Sequence, residues 1–431
     1  MYICFRIFNP YLYQIHSLRN SIYHFSTISK IITANSQNLI SKSILTPNHN
    51  VPIDQIKLID FTITPEYLEI EHDCKFSSAD LHNLTRDNTE SSNTSHYKQN
   101  YTSSCNLDET ILSVTQKITP DYSIFTNQLA ELSSYLCERL KPLLGNDASY
   151  HFYGSTATRL YTYNSDIDLS INLPCTKPRQ AQLKLLRRIG EYLKKIYPQR
   201  ITEERFTARV PLLHWSNGAN SGNNCAVDIC INNHLGIANS ALVSKYVGID
   251  DRVASLIIAI KKWAKSRDIN NKSRGSLSSF ALVLMVIHYL QKVVTPPILP
   301  FLQDIAISNN IIPNFISGFD CRYASDDLLR RGLAEMHDNY GKNIQSLGQL
   351  LLGLFRYYCQ RTSDSPIISI NQLGRFKSEL YEFSLRYFVE NPFEPGIDVA
   401  NIPFNMESKI GYEFSRAYNI LQSGGTYPSI L

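Results

Sequence analysis

Two apolar alternations carry carboxylates where a packed interior rejects them, and this conflict constrains the chain more than any other feature. In Ser165-Asp-Ile-Asp-Leu-Ser-Ile171, the aliphatics Ile167, Leu169 and Ile171 alternate with Asp166 and Asp168. A period of two puts both acids on one face of a strand and the aliphatics on the other. Cys225-Ala-Val-Asp-Ile-Cys-Ile231 reads as a buried strand with a single charge, Asp228, embedded in it. A lone buried carboxylate is costly unless it is paired or holds a cation. Asp228 is therefore the candidate third acid beside the pair. Hard oxygen ligands a few ångströms apart suit two Mg²⁺ or Mn²⁺ ions that also bind nucleotide phosphates.

The flanking pattern predicts an α/β unit. Phe125, Leu129, Leu132, Leu136, Leu140 and Leu143 recur at helical steps and stop at Gly145. An aromatic run, Tyr150 to Tyr153, leads into the turn Gly154-Ser155, about eleven residues before Ser165. A basic helix is expected over 178–197, and further strands over Arg209 to Leu213 and Ala226 to Ile231. From Asn239 the periodicity turns helical. Asp250 is a candidate N-cap for a helix burying Val253, Leu256, Ile257, Ile260, Trp263 and Ala264. Leu277 to Leu290, bounded by Pro296 and Pro297, predicts a buried helix too short to span a bilayer. No membrane association is expected.

The formal charge of +4 resides at one end. Arg6, Arg19, Lys30 and Lys42 precede the first acid, Asp54, so the chain beyond is neutral overall. Any contact with a polyanion must come from local clusters. The acid-free, basic, hydroxylated start resembles a mitochondrial presequence, which implies the mitochondrial matrix; the alternative is a cytoplasmic protein with a disordered tail. Nine cysteines without a CxxC pair signal neither a zinc site nor a disulfide framework. Residues from Asp73 to Glu109 are too polar to supply much burial. The expected organisation is a presequence or tail over 1–53, a largely flexible linker over 54–117, a helix over 118–147 packing on the second lobe, a catalytic domain over 148–234 and a helical domain over 235–431.

The set Gly154, Ser155, Asp166, Asp168 and Asp228 resembles the DNA polymerase β nucleotidyltransferase superfamily. In that family a Gly-Ser turn cradles a triphosphate and three acids bind two metals. Downstream, Asn239-Ser240, Ile260-Lys-Lys-Trp-Ala-Lys265, Gly275-Ser-Leu-Ser-Ser-Phe280 and Asn391-Pro-Phe-Glu394 resemble, in order, the terminal uridylyltransferase and poly(A) polymerase branch. The resemblance implies a bilobed fold, α/β plus α: a polymerase β-like palm with a mainly helical central domain.

It also implies roles for individual residues. Lys261 and Lys265, four apart on one helix face, would hold the triphosphate. Asn239 would contact ribose hydroxyls, Ser240 and Ser279 sugar or phosphate, and Phe280 would stack on the base. Asp228 is expected to help remove the hydroxyl proton. Three positions depart from the pattern: Arg159 stands where many relatives carry Gly, Asn391 replaces an Asp, and Ile397 falls where several uridylyltransferases place a His. Glu394 is retained and can accept a hydrogen bond from uracil N3, which bears a proton where adenine N1 does not. Asn391 can donate or accept and reads either base.

The activity implied is template-independent addition of UMP from UTP to the 3′ end of single-stranded RNA, as in mitochondrial RNA processing or editing. An ATP-using mitochondrial poly(A) polymerase is the alternative. A non-catalytic RNA-binding scaffold of the same fold is expected to have lost metal carboxylates, and all three are present. About sixty residues between Asp168 and Asp228 leave no room for a large insertion. Such a minimal core is expected to rely on protein partners of an RNA-processing or editing complex.

Overall fold

The computed structural model describes residues 95–163, 165–174, 178–217, 226–371 and 386–431. The expected presequence, 1–53, and the linker as far as residue 94 lie outside them. Among the described residues, a sheet of five strands is ordered β1-β2-β5-β4-β3. These are β1 Ser149–Tyr153, β2 Ile167–Asn172, β3 Ile201–Arg205, β4 Leu212–Ser216 and β5 Val227–Ile231. β2 and β5 run parallel, while the other neighbours pair antiparallel.

One face of this sheet is aliphatic. Ile167, Leu169, Ile171, Val227, Ile229 and Ile231 are buried there, together with Leu186, Ile189 and Leu193 of the basic helix Arg179–Ile196. Each such side chain contributes roughly 1.5–3 kcal/mol by leaving water. The helix spans nearly the range its pattern predicts. The Arg209 to Leu213 run forms a strand only from Leu212. The extended run Ile201–Arg205 has one residue of intermediate burial among exposed ones and carries no apolar signal to betray it as a strand.

Two expectations about the helices before the sheet are corrected. Residues Ser95–Ile118, assigned to the flexible linker, form a helix, α1. Leu107, Ile111 and Thr115 recur every four residues and are buried. The next helix, α2 (Tyr122–Leu144), is capped by Asp121, whose carboxylate accepts from the Ser123 and Ile124 amides. It does not pack on the second lobe. Phe125, Leu129, Leu132, Leu136 and Leu140 join the core of the sheet, and Leu107 and Ile111 of α1 join the helical lobe instead. Periodicity revealed which face of α2 is apolar but not which core receives it.

The helical lobe is built around Trp263, whose ring lies 4.7 Å from Phe355 and 4.9 Å from Phe414. Its main helices after the palm are α4 (His234–Val247), α5 (Asp251–Ser266), α6 (Ser279–Lys292), α9 (Leu347–Cys359) and α10 (Phe404–Gln422), where α3 is the basic helix and α7 (Leu302–Ser308) and α8 (Asp326–Tyr340) intervene. Asp250 caps α5 as expected, accepting from the Arg252 amide at 2.9 Å. Among the described residues, no helix is long and apolar enough to cross a membrane.

Candidate active site

Strand register assembles the site on the sheet's polar face. Tyr153 pairs with Asp168, Asp168 with Asp228, and Asp228 with His214, so the four occupy one row across β1, β2, β5 and β4. Paired residues on adjacent strands project to the same side. Asp166, two residues before Asp168, shares that side. The structure thus brings the three predicted acids together.

Their proximity has an electrostatic cost. Burial, followed by the charges of Asp228 and Asp166, pushes the Asp168 carboxyl up to about 7, against the pull of Lys261. The Asp166 carboxyl is raised as well, first by loss of surrounding solvent and next by Asp228. Carboxylate oxygens that raise one another's pKa in this way fit hard divalent cations, whose charge offsets both desolvation and repulsion. Asp166, Asp168 and Asp228 are the residues that would hold them.

The sequence reading missed His214. Its Nδ1 lies 2.6 Å from Asp228 Oδ1. Asp166, His214 and Asp228 each offer a ligand atom within 4.8 Å of the others. The residue sits inside the run Leu212-Leu-His-Trp-Ser216, where a lone polar residue in an apolar strand gives no spacing to recognise. Only the register exposes it.

Gly154 enters a single 3₁₀ turn, Gly154–Thr156, at φ 62°, in the left-handed region that favours glycine. A Cβ at this position would meet the Asp168 carboxylate, with Cγ 2.9 Å away. The turn is pinned from two sides. Thr156 Oγ1 accepts from the Asp168 amide at 3.2 Å, and the Gly154 amide donates to Ser240 Oγ at 2.7 Å. Ser240 in turn donates to the Gly236 carbonyl at 2.7 Å. Its hydroxyl therefore shapes the Gly-Ser turn, a part the sequence reading did not give it.

The cleft in front of these residues measures about 1060 Å³ and is lined by Gly154, Ser155, Asp166, Asp168, Asp228, Asn239, Ser240, Lys261, Lys265, Ser279 and Phe280. Lys117, Tyr163, Lys262, Asn270 and Lys272 also line it, without having been anticipated. Lys261 donates to the Leu160 carbonyl of the palm at 2.6 Å. Burial lowers its ammonium to about 8, while Asp168 pulls the other way. Asn239 Oδ1 is buried and has no hydrogen-bond partner among the described residues.

Asn391 and Glu394 are placed differently. Both are buried, and neither lines this cleft. Asn391 Nδ2 donates to Glu394 Oε2 at 2.7 Å, its Oδ1 accepts from the Phe393 amide at 3.1 Å, and Arg209 of the palm also donates to Glu394. Asn391 therefore orients Glu394, with both ends of its amide engaged. An Asp there would set a second carboxylate against Glu394. Arg159 takes φ 59° and lays its guanidinium 4.5 Å from the Tyr122 ring centroid, where it packs against α2. Ile397 is 40% exposed and its amide donates to the Glu394 carbonyl.

Residues 107–248 match the family model described as the central palm domain of mitochondrial-like poly(A) RNA polymerases. A solved structure of Cid1 in complex with its short product ApU covers 76% of this chain and 98% of its own, at 27% identity and a TM-score of 0.63. The chain carries the fold of the polymerase β-type nucleotidyltransferases. Among proteins similar to this chain, human terminal uridylyltransferase 7 is 33% identical over 253 residues, 56% of this chain and 16% of its own length. Mouse poly(A) RNA polymerase GLD2 is 36% identical over 173 residues, 39% of this chain and 33% of its own. Terminal uridylyltransferase cid1 of Schizosaccharomyces pombe is 31% identical over 229 residues, 52% of each chain. The chain thus spans about half, or less, of the length of these relatives.

Proposed function

We propose that this chain transfers nucleotides without a template, UMP from UTP by preference, to the 3′-hydroxyl of single-stranded RNA, releasing pyrophosphate. The observation that carries the reading is one cleft in which palm carboxylates face the lysines and the orphaned amide oxygen of the helical lobe. Relatives that are terminal uridylyltransferases and poly(A) polymerases support it.

Divalent cations bound by Asp166, Asp168 and Asp228 would supply charge neutralisation for the triphosphate and a lower pKa for the attacking hydroxyl. The chain's own groups bind and orient. Lys261 and Lys265, on one face of α5, offer ammonium groups to phosphate oxygens, and Ser155 adds a hydroxyl from the turn. The unpartnered Asn239 Oδ1 accepts a ribose hydroxyl, which removes the cost of leaving it buried and unpaired. Phe280, at the start of α6, presents a ring for stacking on the base.

The preference for UTP is supported by the terminal uridylyltransferases among the relatives. Glu394, buried outside the cleft with Asn391 and Arg209 on its two oxygens, is not assigned a contact with the base. The poly(A) reading is supported by GLD2 and by the exposed Ile397. Purified protein given single-stranded RNA and each NTP separately is expected to extend with UTP about tenfold faster than with ATP, the worth of roughly one hydrogen bond. Strong extension with ATP and none with UTP would overturn the choice of base.

A mitochondrial matrix location is part of this proposal, and so is action within an RNA-processing or editing complex. The acid-free start of the chain supports the compartment. A fluorescent reporter fused to residues 1–53 is expected to enter mitochondria; a cytosolic reporter would refute the assignment.

A further inference from the structure

A purely carboxylate seat suits Mg²⁺, but the cluster here is mixed. His214 is one register step from Asp228 in the sheet, with side chains 14% and 12% exposed respectively. His214 Nδ1 and a carboxylate oxygen of Asp228 stand 2.6 Å apart, close enough for the imidazole to donate to the carboxylate or, in the other tautomer, for both atoms to face one cation. Asp166 closes the set, its carboxylate oxygen lying within 4.8 Å of the other two ligand atoms. The next residue along the row, Glu203, is exposed and paired with Arg205 at 3.2 Å, so it does not compete for the imidazole.

We propose that His214 is a nitrogen ligand of the Asp166–Asp228 metal seat and biases it towards Mn²⁺ or Co²⁺ over Mg²⁺. The inference rests on the metal-binding reading of the three acids given above. Imidazole nitrogen favours first-row transition ions, whose affinities rise from Mn²⁺ to Co²⁺. Mg²⁺ demands oxygen ligands in near-ideal octahedral geometry and gives up its waters reluctantly. An imidazole in the set therefore strengthens the first class of ion and does little for the second. β4 holds the ring rigidly, since Leu213 and Trp215 on either side are buried in the sheet core.

Mn²⁺ alone, added to the full-length chain without nucleotide, provides the test through pulsed electron-spin-echo spectroscopy. Bound Mn²⁺ is expected to show modulation from a directly coupled ¹⁴N. That modulation should vanish in His214→Gln and change to the ¹⁵N pattern in wild-type protein grown on ¹⁵N-histidine, so the assignment survives if the variant fails to fold. In parallel titrations, His214→Gln should bind Mn²⁺ about tenfold more weakly while Mg²⁺ binding changes less than about threefold. Bound Mn²⁺ without nitrogen modulation, or equal losses for both ions, overturns the role of His214 and leaves the carboxylate seat standing. No Mn²⁺ binding in the wild type, matched by Asp166→Asn, overturns the metal-binding reading itself.

Discussion

Asp168→Asn is expected to reduce RNA extension by about a thousandfold or more while leaving the fold intact. Asn has the shape of Asp but supplies neither the charge nor the second anionic oxygen that a divalent cation requires. Extension of a single-stranded RNA at the wild-type rate would eliminate the proposed chemistry. The same variant reports on the cost of gathering the acids. In the folded protein the Asp168 carboxyl is raised from 3.8 to about 7, by burial first and by Asp228 and Asp166 next. The folded state therefore keeps a proton that the unfolded chain releases. The stability tied to that proton is complete below about pH 4 and is lost as the pH rises through about 7. Metal-free Asp168→Asn protein, which cannot titrate there, is expected to lose less of its Tm than wild type between about pH 5 and pH 8. Added Mn²⁺ should raise the Tm of the wild type more than that of the variant, because only the wild type has the Asp168 charge to neutralise. Parallel Tm curves for the two metal-free proteins would contradict this account.

Gly154→Ala is expected to be nearly as damaging, for a steric reason. The added methyl would occupy space held by the Asp168 carboxylate, and a non-glycine residue at φ 62° costs about 1–2 kcal/mol of backbone strain as well. Asp168 must turn away or the turn must open. Either movement takes a ligand out of line, and a misplacement of about 1 Å costs on the order of a hundredfold in rate. Gly145 separates strain from site geometry. It has φ 77° and nothing within 4 Å of the position of a Cβ. Gly145→Ala, at φ 77° and ψ −166°, should lose at least as much stability with extension unchanged. Equal activity losses in the two variants would show that strain, and not the Asp168 contact, governs the effect.

The legible part of this molecule was the part in which local chemistry conflicts with local pattern. An acid inside an apolar strand is visible without coordinates, which is why Asp166, Asp168 and Asp228 could be named and found on one sheet face. Lys261 and Lys265 were legible through helical spacing. His214 was not, because it becomes significant only when β4 takes its place beside β5, and strand order is not written in either strand. Asn391 was read as facing the base, yet it spends its amide on Glu394 and on the Phe393 amide. A hydrogen-bonding side chain advertises what it can do and not what it is next to. α1 was hidden for a third reason: its buried stripe is narrow and its remaining surface resembles a linker.

The lobe to which α1 belongs has a consequence for how the protein is made. Asp108 of α1 accepts from Ser346 Oγ and the Gly348 amide at the start of α9, and Thr110 Oγ1 accepts from the Tyr427 amide in the final helical turn, Tyr427–Ile430. The palm, from α2 to β5, lies between these partners in the sequence. Synthesis therefore delivers α1 and a sheet with its own core before the residues of α9 and of Tyr427–Ile430 that bond to α1. A nascent chain displays an acidic face before the helical wall opposite it, which runs to Val283, has been made, and Tyr427 joins Thr110 only after more than three hundred further residues.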